Sequence, residues 1–167
     1  MSKPRLTGLI LALLAAPLLH AGDYDAVISA MKKFWPGRTS IAVVCDASSS
    51  HGALSELTGA ASGMRVLVVD VKGPQDVGKA ISTLSQHHPS ALVLIAGDHV
   101  AGDGSAAASF LIQRMAAEKI PTAATTQEGV KQGAAIGIGP GTGGKLYANA
   151  RVAAVAGVPV PPGATPL

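Results

Sequence analysis

Three short runs in this chain carry side chains able to hold a ligand or do chemistry. They are Asp46 with Ser48, Ser49, Ser50 and His51 in CDASSSH, Asp98 with His99 in AGDH, and Thr125 with Thr126 in TAATT. Each follows an apolar segment of strand character, so each falls where a strand gives way to a loop. Small hydroxyls and carboxylates gathered at a helix N-terminus suit a small polar or anionic solute. The same residues also meet a plainer need, because Ser48 to Ser50 and Asp103 are the types that cap helices. A zinc or copper site would draw on Cys45, His51, Asp98 and His99, yet no C-x-x-C or H-x-x-x-H spacing supports one. A Ser-His-Asp set taken from Ser48, His51 and Asp98 lacks a G-x-S-x-G elbow. Cys45, in or just past an apolar strand, reads as a small buried hydrophobe rather than a nucleophile. The chain therefore reads as a non-enzyme, with no catalytic residue, metal ligand or cofactor assigned.

A further motif needs weighing. In GIGPGTGGKLYAN, Gly139 and Gly144-Lys145 stand at the G-x-x-x-x-G-K spacing of a phosphate-binding loop. That loop needs a Ser or Thr after the lysine to hold magnesium, and a helix to aim its N–H groups at phosphate. Here Leu146 follows, and LYAN has strand character. The stretch reads as a glycine-rich turn between two strands.

The elements that must position these residues follow from periodicity. DYDAVISAMKKFWPG places Tyr24, Val27, Ile28, Met31, Phe34 and Trp35 on one helical face, and Pro36-Gly37 ends it. TSIAVVCDA, MRVLVVDV and SALVLIAGDH are compact apolar runs that read as buried strands, and TAATT as a shorter fourth. Helices fit between them, over HGALSELTGAA, PQDVGKAISTLSQHH with Val77, Ile81 and Leu84 on one face, and GSAAASFLIQRMAAEKI, capped near Asp103 or Ser105. AAIGIG and KLYANA close the series as a hairpin. Strands alternating with helices predict a single three-layer α/β domain with a mostly parallel, flavodoxin-like sheet and a C-terminal glycine-rich hairpin. In that order the first and third strands are neighbours, and the groups at their carboxyl ends meet in one crevice.

At the front, Lys3 and Arg5 precede an apolar run to Leu19, then His20-Ala21, the pattern of a cleaved secretory signal peptide over residues 1–21. The mature chain, about 145 residues, has room for one domain, residues 22–160, followed by a proline-rich tail, 161–167, expected to be loosely ordered. Without Lys3 and Arg5 the formal charge falls from +3 to +1, and no basic stripe points to nucleic acid. One cysteine cannot form an intramolecular disulfide, so packing must supply stability.

Three segments carry a resemblance: the helix closing on FWPG, the strand IAVVCDA, and the ending GGKLYANARVAAVAGVPVP. Together they resemble the single-domain periplasmic YfiR-like proteins, in which a glycine-containing turn leads into a strand and an alanine-rich closing helix. That resemblance implies a non-enzymatic periplasmic regulator of a membrane-embedded signalling partner, although the lone Cys45 leaves no redox-switching disulfide. The closing segment and the strand-helix order are also similar to one lobe of the type 1 periplasmic solute-binding proteins of ABC transporters. This second likeness implies a binder of a small polar solute that serves a membrane transporter, with a homodimer standing in for the missing lobe. The expected ligand groups are then Asp46, Ser48, Ser49, Ser50, His51, Asp98, His99, Thr125 and Thr126.

Overall fold

The computed structural model describes residues 22–139 and 144–167; residues 1–21, expected to be a signal peptide, and 140–143, expected to lie in the glycine-rich turn, are outside the described residues. In chain order the elements are α1 (Gly22–Phe34), β1 (Ser40–Cys45), α2 (His51–Ala60), β2 (Arg65–Asp70), α3 (Val77–His87), β3 (Ala91–Val93) and α4 (Ala106–Ala117). They continue as β4 (Thr122–Ala124), α5 (Gln127–Lys131), β5 (Ile136–Ile138), β6 (Leu146–Ala148), α6 (Ala150–Ala156) and β7 (Thr165–Pro166). A short 3-10 turn over Pro74–Asp76 leads into α3.

One sheet runs in the order β2-β1-β3-β4-β5-β6-β7. The first five strands are parallel, β6 runs antiparallel to β5, and β7 is parallel to β6. This is the expected flavodoxin-like order, with its reversal between β1 and β3. Every residue of β1 is buried because both faces of a central parallel strand are covered. Ile41, Val43 and Cys45 face a core closed by α1, α2 and α6, while Ala42 and Val44 face the core under α3 and α4.

Two expectations need correction. β2 has the same apolar character as β1 but lies at the sheet edge with a strand on one side only, so several of its residues are exposed. The proline-rich segment is not loose: Thr165 and Pro166 pair with Tyr147 and Ala148, and Leu167 N–H donates to Ala148 O at 3.0 Å. Proline is tolerated there because the strand is an edge. A short helix, α5, stands where no element was expected; Thr126 caps it by accepting from Gly129 N–H at 3.0 Å. No described helix is long and apolar enough to cross a membrane.

The buried face of α1 is as expected from its spacing, and the chain just after it is stapled to the far end of the sequence. Trp35 is 2% exposed, and its indole Nε1 donates to Pro159 O at 3.3 Å.

β5 can approach the end of β4 only because position 137 lacks a side chain. A Cβ there would stand 2.4 Å from Val130 Cγ2 and 2.8 Å from the Thr126 carbonyl oxygen. Gly137→Ala should therefore cost about 1–3 kcal/mol through overpacking. Urea denaturation followed by circular dichroism checks this, and an unchanged midpoint would refute the close approach.

Candidate functional site

The loops after β1 and β3 meet at the strand-order reversal, and they are held by two buried carboxylates. Asp98 accepts at Oδ2 from Asp46 N–H at 2.9 Å and from Ser50 Oγ at 2.6 Å. Its other oxygen accepts from Val100 N–H at 3.0 Å and Ala101 N–H at 2.8 Å. Gly102 closes this turn by donating to Asp98 O at 3.0 Å. A Cβ at residue 102 would lie 2.3 Å from that oxygen, so only glycine fits.

Asp46 organises the outer half. Its Oδ1 accepts from Ser48 N–H at 3.0 Å, Ser48 Oγ at 2.6 Å and Lys72 Nζ at 2.6 Å. Lys72 also reaches Asp70 Oδ1 at 3.1 Å, and Asp70 Oδ1 accepts from Ala47 N–H at 2.9 Å. These partners hold Asp46 well below the ordinary carboxylate range, Lys72 first and Ser48 next. Asp70 is lowered first by the Ala47 N–H and then by Lys72. Lys72 is raised in turn, first by Asp46 and then by Asp70.

Ser49 and His99 complete the rim. Ser49 Oγ donates to Asp46 O at 3.2 Å and lies 3.2 Å from His99 Nδ1. His99 Nε2 stands 3.7 Å from Asp46 Oδ2, beyond hydrogen-bond range. The serine proton is thus directed at a carbonyl, and no Ser-His-carboxylate relay is formed. The set Ser48, His51 and Asp98 is not assembled either, since His51 is the exposed first residue of α2 and takes no part in the network. Cys45, at the end of β1, is fully buried; burial, then Asp98, Asp70 and Asp46, push its thiol up to about 11. Among the described residues no group of His, Cys, Asp or Glu could hold a metal ion.

The capping account of the serines is only partly right. Ser50 occupies the cap position of α2, but its hydroxyl goes to Asp98 and makes no cap bond. Ser105, not Asp103, caps α4, accepting from Ala108 N–H at 2.9 Å. Asp103 instead accepts from the Thr126 hydroxyl, and burial pushes its carboxyl up, partly opposed by that bond. Thr125 is 2% exposed with an unpartnered hydroxyl. The structure thus brings Asp46, Ser48, Ser49, Ser50, Asp98 and His99 together, leaves His51 outside, and places Thr126 in a separate pair with Asp103. Lys72 and Asp70 were missed; they lie at the carboxyl end of the second strand, in VVDVKG, and the strand-end rule applied there would have found them.

Lys72, Ser48, Ser49 and His99 stand at the exposed edge of the cluster. A cavity of about 200 Å³ lies at the amino ends of β1 and β2, and one of about 450 Å³ between α4 and α6. One of about 150 Å³ between β2 and α3 shares Asp70 with the cluster.

Domains of solved proteins share this fold at low sequence identity. The chain is similar to a conserved domain protein from Vibrio cholerae O1 biovar eltor, with a TM-score of 0.72, 17% identity, and 86% of this chain aligned to 59% of that one. It is similar to an ABC domain from Streptococcus pneumonia in complex with L-Trp, with a TM-score of 0.68, 14% identity, and coverage of 84% and 57%. It is also similar to ligand-free, open CD0873, a substrate-binding protein with adhesive properties from Clostridium difficile, with a TM-score of 0.70, 17% identity, and coverage of 84% and 58%. The chain thus spans under three fifths of the length of these proteins, and the likeness extends to the fold. No model of a known protein family matches the chain, and no curated protein matches it in sequence.

Two outcomes test this arrangement. Removing the Asp98 carboxylate in Asp98→Ala leaves three backbone N–H groups unpaired and should cost about 3 kcal/mol, measured by urea denaturation. The Lys72 cluster sets a pH profile. Lowered carboxylates contribute fully above their unfolded value, about 3.9, and lose that contribution as pH falls through the native one. Raised Lys72 contributes fully below about 10.4 and loses it as pH rises through its native value. Stability should therefore be flat between those limits and fall outside them. Lys72→Met should flatten both limbs, and wild-type limbs in that variant would refute the coupling.

Proposed function

We propose that this chain is a solute-binding module that takes a small polar solute over the carboxyl ends of β1 and β3. The observation that carries this is the pinned switch point. Asp98 is satisfied internally and Asp46 is engaged through Oδ1, tying two loops together, while Lys72 Nζ, the His99 ring and the Ser48 and Ser49 hydroxyls remain at the exposed rim. Fixed polar groups on an ordered edge are what a ligand surface needs, since little ordering entropy is lost on binding. The L-Trp complex of a similar domain and the substrate-binding role of CD0873 support the class. The greater length of both supports a second lobe, or a second copy of this chain, closing over the solute.

In this reading residues 1–21 export the chain to the periplasm, and the loaded module serves a membrane transporter. The regulatory reading drawn from the YfiR-like resemblance has no feature of the site in its favour, and none of the three similar structures adds to it.

Thermal-shift screening of the mature chain against amino acids, organic anions and nucleobases tests the proposal. A true ligand at a hundred times its dissociation constant should add about 2.7 kcal/mol of stability. The shift should be lost in His99→Ala and Ser49→Ala, both rim positions. No stabilising solute, or a shift indifferent to both substitutions, would sink the idea.

A further inference from the structure

At the end of the sheet opposite the switch-point loops, α4 and α6 part over the cavity of about 450 Å³. The topology puts it there. Because β6 is antiparallel to β5, Asn149 N–H donates to Ala135 O at 3.0 Å, beside the amino end of the parallel strand β5. The volume is within the range of small-molecule sites, about 300–1,000 Å³.

Its lining mixes two chemistries. Ile112 and Ala116 of α4, with Val152 and Val155 of α6, supply apolar surface. Lys131, Arg151, Gln113 and Asn149 supply polar groups, and no carboxylate is among the lining residues. Lys131 touches Glu128 at 3.5 Å, but both side chains are more than half exposed, so that pair contributes little. Arg151 is exposed and makes no hydrogen bond or ion pair among the described residues. Asn149 uses Oδ1 to accept from Val152 N–H at 3.1 Å, which leaves its amide as a donor. Gln132 fixes one wall, accepting from Gly104 N–H at 2.8 Å. Gly133 keeps the space between the walls open: with φ at +118°, a Cβ there would stand 3.3 Å from Ile112 Cγ2 and 3.9 Å from Val152 Cγ2.

A lining that joins apolar side chains to two cations and amide donors, without an acid, is complementary to one ligand chemistry. We propose that this cavity binds an amphipathic organic anion, a monocarboxylate with a short apolar body. The carboxylate sits between Arg151 and Lys131, where a planar guanidinium can hold both oxygens. The body lies against Ile112, Ala116, Val152 and Val155. The site is separate from the rim of β1 and β3, so both can be filled together.

Titration of the mature chain with 4-phenylbutyrate, 4-phenylbutylamine and 4-phenyl-1-butanol, followed by amide NMR, tests this. The acid should bind saturably, the alcohol more weakly and the amine weakest, with shifts centred on residues 112–116, 131–133 and 149–155. Arg151→Glu and Lys131→Glu, both at exposed positions, should each weaken the acid about tenfold. Equal binding of acid and amine, shifts centred on residues 46–51 and 98–99, no saturable binding of the acid, or an unchanged affinity in Arg151→Glu would overturn it.

Discussion

The carboxylate of Asp98 is the constraint on which this molecule's working edge depends. It is 6% exposed and accepts from the backbone of two loops that the sequence separates by about fifty residues. A buried carboxylate with every bond made is tolerable, and one with a bond missing is costly. The loops after β1 and β3 are therefore fixed relative to each other, and the neighbourhood of those strands becomes a rigid edge. Asp46, whose own N–H is one of those donors, repeats the device one shell outward with Ser48 and Lys72.

This division of labour explains which polar groups are left to meet a ligand. The inner acids are consumed by the fold, and the outer lysine, histidine and two serines are held by them without being buried. Lys72 is partly neutralised by Asp46 and Asp70, so the rim is a set of oriented polar groups rather than a strong cationic patch. The α4 and α6 cavity has the opposite character, since Lys131 and Arg151 share it without any acid among its walls. Two regions at opposite ends of one sheet thus offer different chemistry to solvent.

Much of the fold was legible because the strands are short apolar runs bounded by Gly, Pro and hydroxyl residues, and the helices carry a clear stripe. The central position of β1 and the hairpin of β5 and β6 follow from those signals. What failed, failed for tertiary reasons. IAVVC and RVLVVD look alike, yet one is enclosed and the other is at the edge, because neighbours rather than composition set exposure. Thr165 and Pro166 join the sheet on backbone pairing alone, which leaves no apolar pattern to read. Within the site, strand-end position identified Asp46, Asp98, His99 and Ser48 to Ser50, but residue type could not tell a capping serine from one that braces an aspartate. Lys72 and Asp70 were legible by the same strand-end position, but a lone lysine after a strand looks like ordinary solvated charge.

The staple between Trp35 and Pro159 has a kinetic meaning. It joins residues 124 apart in sequence, and Val158 joins the same core that Tyr24, Ile28 and Met31 of α1 enter. A contact of such separation carries a large loop-closure cost and forms late. The first helix therefore has no completed seat until the segment around residues 158–166 has been synthesised and brought back. A nascent chain shorter than that leaves the end of α1 around Trp35 without its last covering, although α2 and the central strands already meet its apolar face.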